Sequence, residues 1–234
     1  MKRYGLAILV ISLVSAGCSA IQETSRRAME TGIYNVSIQE NKKFYTVVDE
    51  DKITLYPALK TKAGWQANTD SASTIYLSLT NAGNRSTTFT KRSFDIDVLT
   101  ILFKYRPYTS GFPNQLNTNF NGAGYIGYRS DCYLLSYDKN ALNAYERRMN
   151  HFAYSLGFFG GFGATSMNSF VTNNQVQSEY DGVVITKGVG GLIGLGNLTF
   201  GAAIGFDHLL DNNRKAWIYQ GKPWVGLTVG LNLN

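Results

Sequence analysis

The stretch Gly188–Phe206, GVGGLIGLGNLTFGAAIGF, constrains this chain more than any other. It holds nineteen residues, seven of them glycine, and no charge. Two structures compete for it. Nineteen uncharged residues are about long enough for a spanning helix, and Gly190 and Gly194 form a GxxxG pair. The alternative is two β-strands joined at Gly196-Asn197, where a type II′ turn wants glycine first. From Leu198 the alternation is strict. Leu198, Phe200, Ala202, Ile204 and Phe206 share one face; Thr199, Gly201, Ala203, Gly205 and Asp207 share the other. Before the turn, Val189, Ile193 and Leu195 share a face opposite Gly188, Gly190, Gly194 and Gly196, while Gly191 and Leu192 break the pattern. A helix would scatter these faces and carry glycines that each cost about 0.8–1 kcal/mol relative to alanine. Strands are therefore expected.

A soluble sheet with one buried face turns the other to water and fills it with Lys, Glu and Thr. Here the second face is Gly, Ala and Thr. An apolar outer band over a small or polar inner face is the pattern of a membrane-spanning β-barrel.

Residues 1–20 read as a secretory signal. Lys2 and Arg3 precede a short apolar core, Leu6–Val14, and small residues follow. The end, Val14-Ser15-Ala16-Gly17-Cys18, resembles a bacterial lipobox, with Ser15 in the place usually held by Leu. The resemblance implies that Cys18 is lipidated and becomes the new N-terminus; ordinary cleavage after Ala20 is the alternative. Ser19, rather than Asp, follows the cysteine, which favours delivery to the outer membrane. Loss of the signal lowers the formal charge from +6 to +4 and leaves Cys132 without an intrachain partner. The remaining length suits one domain. The basic residues fall in scattered pairs such as Arg26-Arg27, Lys42-Lys43 and Lys91-Arg92, without a basic stripe interleaved with aromatics. Nucleic acid is therefore not an expected partner; membrane lipid and the phosphates of lipopolysaccharide are.

Residues 21–43 are polar and read as a tether, and residues 44–234 as the β-barrel domain. Phe44–Val48 and Ile53–Tyr56 flank an acidic turn as a hairpin stopped by Pro57, and Thr74–Thr80 is a short strand. Longer strands follow from Ser93: Phe94–Tyr105, Asn119–Tyr137 as one overlong strand or a hairpin, His151–Ala164, Val183–Leu195, Leu198–His208 and Trp217–Asn234. Asp95 and Asp97 share a face with Leu99, Ile101, Phe103 and Tyr105, which places the two acids beyond the hydrocarbon. With 53–56 and 74–80 the count comes to about eight antiparallel strands. Aromatics at strand ends, among them Phe103, Tyr105, Trp217, Tyr219 and Trp224, suggest interfacial girdles. In such barrels short turns face the periplasm and long loops the exterior. That rule makes Gly196-Asn197 periplasmic, loops 106–118, 165–181 and 209–216 external, and 138–149 an unexplained long periplasmic turn. Lys187 shares parity with the outward face, so it belongs at a rim or beside a bulge. Phe159 is a bulky residue on a face otherwise made of small ones.

The catalytic inventory is thin. His151 and His208 have no Cys, His or Asp neighbour at metal-ligand spacing, so no metal site or cofactor is expected. No G-x-S-x-G, phosphate loop or H-E-x-x-H occurs. The best hydrolytic set is His151 with Ser155, two strand steps apart on one face, with Asp207 or Glu179 to orient the imidazole. A lumen residue and a rim histidine explain the same positions, and no enzyme is expected.

From Asp95 onward the chain resembles small outer-membrane β-barrel proteins of Gram-negative bacteria. The matching pieces are FDIDVLTILFKYRP, QLNTNFNGAGYIGYR, EYDGVV, GNLTFGAAIGFDHLLD and WIYQGKPWVGLTVGLNLN. The resemblance implies an all-β fold and residence in the cell outer membrane, and carries no catalytic residue. The expected role is structural or surface-interacting. A small channel and a lipid-acting hydrolase are the alternatives.

Overall fold

The computed structural model of the chain describes residues 29–37, 42–50, 52–62, 64–76, 86–109, 111–139, 141, 145–195 and 198–232. The signal segment with Cys18 lies outside the described residues, as do Gly196 and Asn197. Twelve strands form one antiparallel sheet. They are β1 (Gly32–Val36), β2 (Lys42–Val48), β3 (Lys52–Thr61), β4 (Gly64–Ala67), β5 (Ser73–Tyr76), β6 (Thr87–Arg106), β7 (Gln115–Asn117), β8 (Asn121–Lys139), β9 (Tyr145–Met167), β10 (Tyr180–Leu195), β11 (Leu198–Leu209) and β12 (Pro223–Asn232). Their order is β12-β11-β10-β9-β8-β6-β1-β2-β3-β4, with β5 on β3 and β7 on β6. β12 also pairs with β6, so the path β6-β8-β9-β10-β11-β12 returns to its start. The expected count of about eight matches neither the twelve strands of the sheet nor the six of that path, because the short strands β1, β4 and β7 carry too few residues to show a period and β3 and β5 pair outside the path.

The chain divides into two compact units, the first from 1–92 and 130–152, the second from 93–129 and 153–234. In the first, residues 32–36 correct the reading of 21–43 as a tether. They form β1, which pairs Tyr34 with Phe44 of β2 and Val36 with Phe89 of β6. Tyr34 and Val36 are buried and Asn35 between them is not, an alternation only two steps long. The hairpin expected around Asp49–Lys52 is present as β2 and β3, with the Asp49 N–H donating to the Lys52 carbonyl at 2.9 Å. Pro57 does not end it. β3 runs on to Thr61, and the Pro57 carbonyl accepts from the Asn68 N–H at 2.9 Å. Of the strand expected at 74–80, residues 74–76 lie in β5, which pairs with β3, and 77–80 lie outside the described residues. Neither β3 nor β5 belongs to the closed path, contrary to the count that added them to it.

Tyr34, Phe44, Ile53, Leu55, Phe89 and Leu135 are among the core of this unit. Cys132 is buried, its Sγ 4.0 Å from the Thr90 hydroxyl. Segment 138–149, read as a long turn, is mostly strand: β8 extends to Lys139 and β9 begins at Tyr145.

The second unit contains the strands of the closed path. Alternate residues are buried and exposed along β6, β8, β10, β11 and β12. Phe94, Ile96 and Val98 are exposed while Asp95 and Asp97 are buried, so the face that the two acids share with Leu99 and Ile101 is the buried one. The hairpin of Gly188–Phe206 is confirmed by an unbroken register from Val184↔Leu209 to Leu195↔Leu198. Among the described residues no helix is long and apolar enough to cross a membrane. Lys187 stays on the exposed face in an unbroken register with Gly160 and Phe206, so no bulge turns it inward.

The two misfits of the inner face are explained by glycines across the ladder. Phe159 is buried directly opposite Gly188, and Leu192 directly opposite Gly201. Trp224 stands opposite Gly205, and Leu99 opposite Gly230. Each bulky ring or chain occupies the volume that a side chain on its glycine partner would fill. The final strand starts at Pro223, not Trp217. Trp217 and Tyr219 lie before it and, with Trp224, are buried, so these three are not girdle residues. Trp217 and Tyr219 pack with Val171, Val184 and Leu209, and the Ile218 N–H donates to the Val171 carbonyl at 3.0 Å, tying loop 210–222 to loop 168–179.

Candidate functional site: a buried ion cluster in the second unit

The polar centre of the second unit depends on a bulge. Leu227 pairs with Phe103 and Thr228 with Ile101, leaving Leu102 of β6 without an opposite residue. One extra residue reverses the parity of everything beyond it. Strict alternation from Leu99 and Ile101 would bury Phe103 and Tyr105. The bulge instead buries Lys104 and Arg106 and exposes Tyr105.

Both cations meet Asp207 of β11. The Lys104 ammonium donates to Asp207 Oδ1 at 2.7 Å and Arg106 Nη2 to Asp207 Oδ2 at 2.6 Å. Trp224 Nε1 adds a third donor to Oδ1 at 3.0 Å. Lys104 uses its other protons on Asn121 Oδ1 at 2.7 Å and Thr186 Oγ1 at 3.4 Å, so all three ammonium donors have acceptors. Arg106 Nη1 donates to Gln115 Oε1 at 3.1 Å, and its guanidinium lies 5.2 Å from the Trp217 ring and 5.1 Å from the Tyr219 ring. Cation–π attraction of this kind strengthens when water is excluded. Burial pushes the Tyr219 phenol above its ordinary range, with Arg106 opposing that rise, so the ring stays neutral beside the cation.

None of the three charged side chains is more than 3% exposed. Such a cluster is held by geometry: its carboxylate is saturated with donors and its ammonium with acceptors. It can clamp β6, β8, β10, β11 and the loop before β12. It offers no free base to a substrate.

Further polar pairs occupy the stretches of β6, β8, β9 and β11 nearer residue 93. Arg129 Nη1 lies 3.5 Å from Asp95 Oδ1, the Thr199 hydroxyl donates to Asp97 at 2.9 Å, and Tyr125 OH and Ser155 Oγ are 2.8 Å apart. Tyr125 and Trp224, one from a polar pair and one from the Lys104 cluster, pack in a single buried apolar cluster with Leu99, Ile101, Phe159 and Leu192.

The residues proposed for hydrolysis have other partners. His151, in the first unit, sets Nε2 2.9 Å from Asp131 Oδ1 and stacks on Tyr133 with ring centres 4.4 Å apart. Ser155 is hydrogen-bonded to Tyr125, and Asp207 is held by Lys104 and Arg106. Glu179 is exposed in loop 168–179. The structure therefore gives His151 a carboxylate partner, Asp131, that spacing did not suggest. Lys104, Arg106 and Asn121 were likewise missed. Their signal was the triplet Lys104-Tyr105-Arg106, polar-aromatic-polar, out of phase with Asp95–Ile101. Among the described residues no group of three or more His, Cys, Asp or Glu could hold a metal ion.

No family model, curated protein or solved structure matches this chain.

Proposed function

We propose that this chain is an outer-membrane β-barrel protein with a structural or surface-interacting role, in which the closed path of the second unit spans the membrane and a lipid on Cys18 adds an anchor. The observation that carries this reading is the exposed face of the second unit. Phe94, Ile126, Phe158, Val189, Ile204 and Leu227, one from each of the six strands, lie on it, while Asp95, Asp97, Lys104, Arg106, Arg129 and Asp207 are on the buried face and Lys187 is on the exposed one. Monomers in water rarely expose contiguous apolar patches beyond a few hundred Å². In hydrocarbon the same face is matched to its solvent, and closing β12 onto β6 leaves no strand edge unpaired there. Lys187, level with Phe206 and with Pro223 at the start of β12, fits a rim, where a cation costs about 0–1 kcal/mol rather than about 2–4 at the midplane.

Eight strands already give an interior that side chains about fill. Six make a narrower one, and the glycines opposite Phe159, Leu192, Trp224 and Leu99 supply the missing room. That filling supports a closed barrel over a conducting channel. Heat-modifiable migration of membrane-extracted protein on a gel is the expected result. Recovery of folded protein from the periplasm without detergent would overturn the proposal, and steady conductance in a planar bilayer would revive the channel.

A further inference from the structure

β4 stands at the end of the strand order, so among the described residues the β3–β4 hairpin of the first unit presents an open edge. All four residues of β4 are exposed, and so are Leu59, at 55%, and Trp65, at 39%. The register pairs Lys60 with Trp65 and Leu59 with Gln66, so Trp65 and Lys60 share one face and Leu59 points to the other. Lys43 of β2 places its ammonium 4.1 Å from the centre of the Trp65 ring. Lys62 stands exposed in the connection between the strands. From Lys52 to Thr69 the sequence holds three lysines and no acidic residue.

We infer that this hairpin is a docking surface for an anionic phospholipid membrane. The ammoniums of Lys43 and Lys60 meet lipid phosphates while Trp65, with its apolar ring and N–H donor, enters the headgroup layer between them. The charge is complementary, since juxtamembrane lysines are drawn to anionic leaflets. The aromatic is of the type that sits at headgroup level. A second copy of the chain is disfavoured because two such hairpins would set Lys60 and Lys62 of one against those of the other, and like charges placed opposite each other are destabilising. An acidic polypeptide would satisfy the lysines but would leave the exposed indole unused.

The inference is independent of whether the second unit spans a membrane. The full chain, in zwitterionic nanodiscs or in buffer alone should it prove soluble, is mixed with vesicles of phosphatidylcholine or of phosphatidylcholine with phosphatidylglycerol. Binding is expected only to the anionic vesicles, reversed by salt. It should fall by about tenfold or more in the double variant Lys43→Gln, Lys60→Gln. Acrylamide quenching of the Trp65 emission, identified by difference from Trp65→Phe, should drop on binding. Equal affinity for both vesicles, no binding, or binding indifferent to these substitutions would overturn the inference. So would displacement of the vesicles by polyglutamate that leaves Trp65 open to quencher, which would assign the hairpin to a protein. Failure of the chain to enter nanodiscs bears on the barrel alone.

Discussion

Trp224 lies directly across the β11–β12 ladder from Gly205, and a Cβ placed on that glycine would stand 2.5 Å from Trp224 Cζ2. The indole also donates to Asp207, so the glycine sets the position of a ring that completes the ion cluster. Gly205→Ala should therefore destabilise the protein by about 1–3 kcal/mol through overpacking. The denaturation midpoint followed by gel migration measures this. In a double-mutant cycle with Trp224→Leu the two costs should sum to more than the double variant shows, since the smaller residue frees the space. Strict additivity would mean that the two side chains do not share that volume.

Asp207→Asn should be more damaging than a typical core substitution. It leaves the Lys104 and Arg106 charges buried without a counter-ion, a loss of about 3–5 kcal/mol when one partner of such a set is removed. The double variant Lys104→Met, Asp207→Leu should recover part of the loss, because it removes a charge of each sign. Comparison of denaturation midpoints decides between a clamp and a replaceable surface ion pair.

Single-cysteine labelling in a Cys132→Ser background tests the exposed face. Labels at Ala202, Ile204 and Leu227 should report hydrocarbon, and those at Gly201 and Thr228 should not, because alternate residues of β11 and β12 are exposed. Ile204→Arg should cost about 2–4 kcal/mol if the residue lies near the midplane and should impair insertion. Water-like spectra at all three exposed positions would return the second unit to an aqueous setting.

Cys18→Ser should abolish incorporation of a labelled fatty acid. Unaltered processing of this variant would favour cleavage after Ala20.

His151→Ala and Ser155→Ala should leave the lipid composition of the envelope unchanged, since each side chain is engaged with a different partner, Asp131 and Tyr125. His151→Ala should still lower stability by about 1–3 kcal/mol, because Asp131 loses its imidazole partner in a buried setting. An altered lipid profile measured by mass spectrometry would revive the hydrolase.

The sequence alone determined the strands of the C-terminal half and the hairpin of Gly188–Phe206. Alternation over many residues is a local property of the chain, and bulky apolar groups on one parity can meet only one environment. It also put Ala202 and Ile204 together on the face that is exposed. It could not show β1, whose period is two steps long, nor the limits of β3, where Pro57 is accommodated by a neighbour's N–H. The purpose of Phe159 and Leu192 was equally hidden, because the glycines that receive them lie on other strands. Above all, tertiary structure decided the ion cluster. A single unpaired residue, Leu102, inverts the parity of β6, and only the register against β12 reveals it. Lys104 and Arg106 then reach an aspartate about a hundred residues away, a distance no local pattern spans.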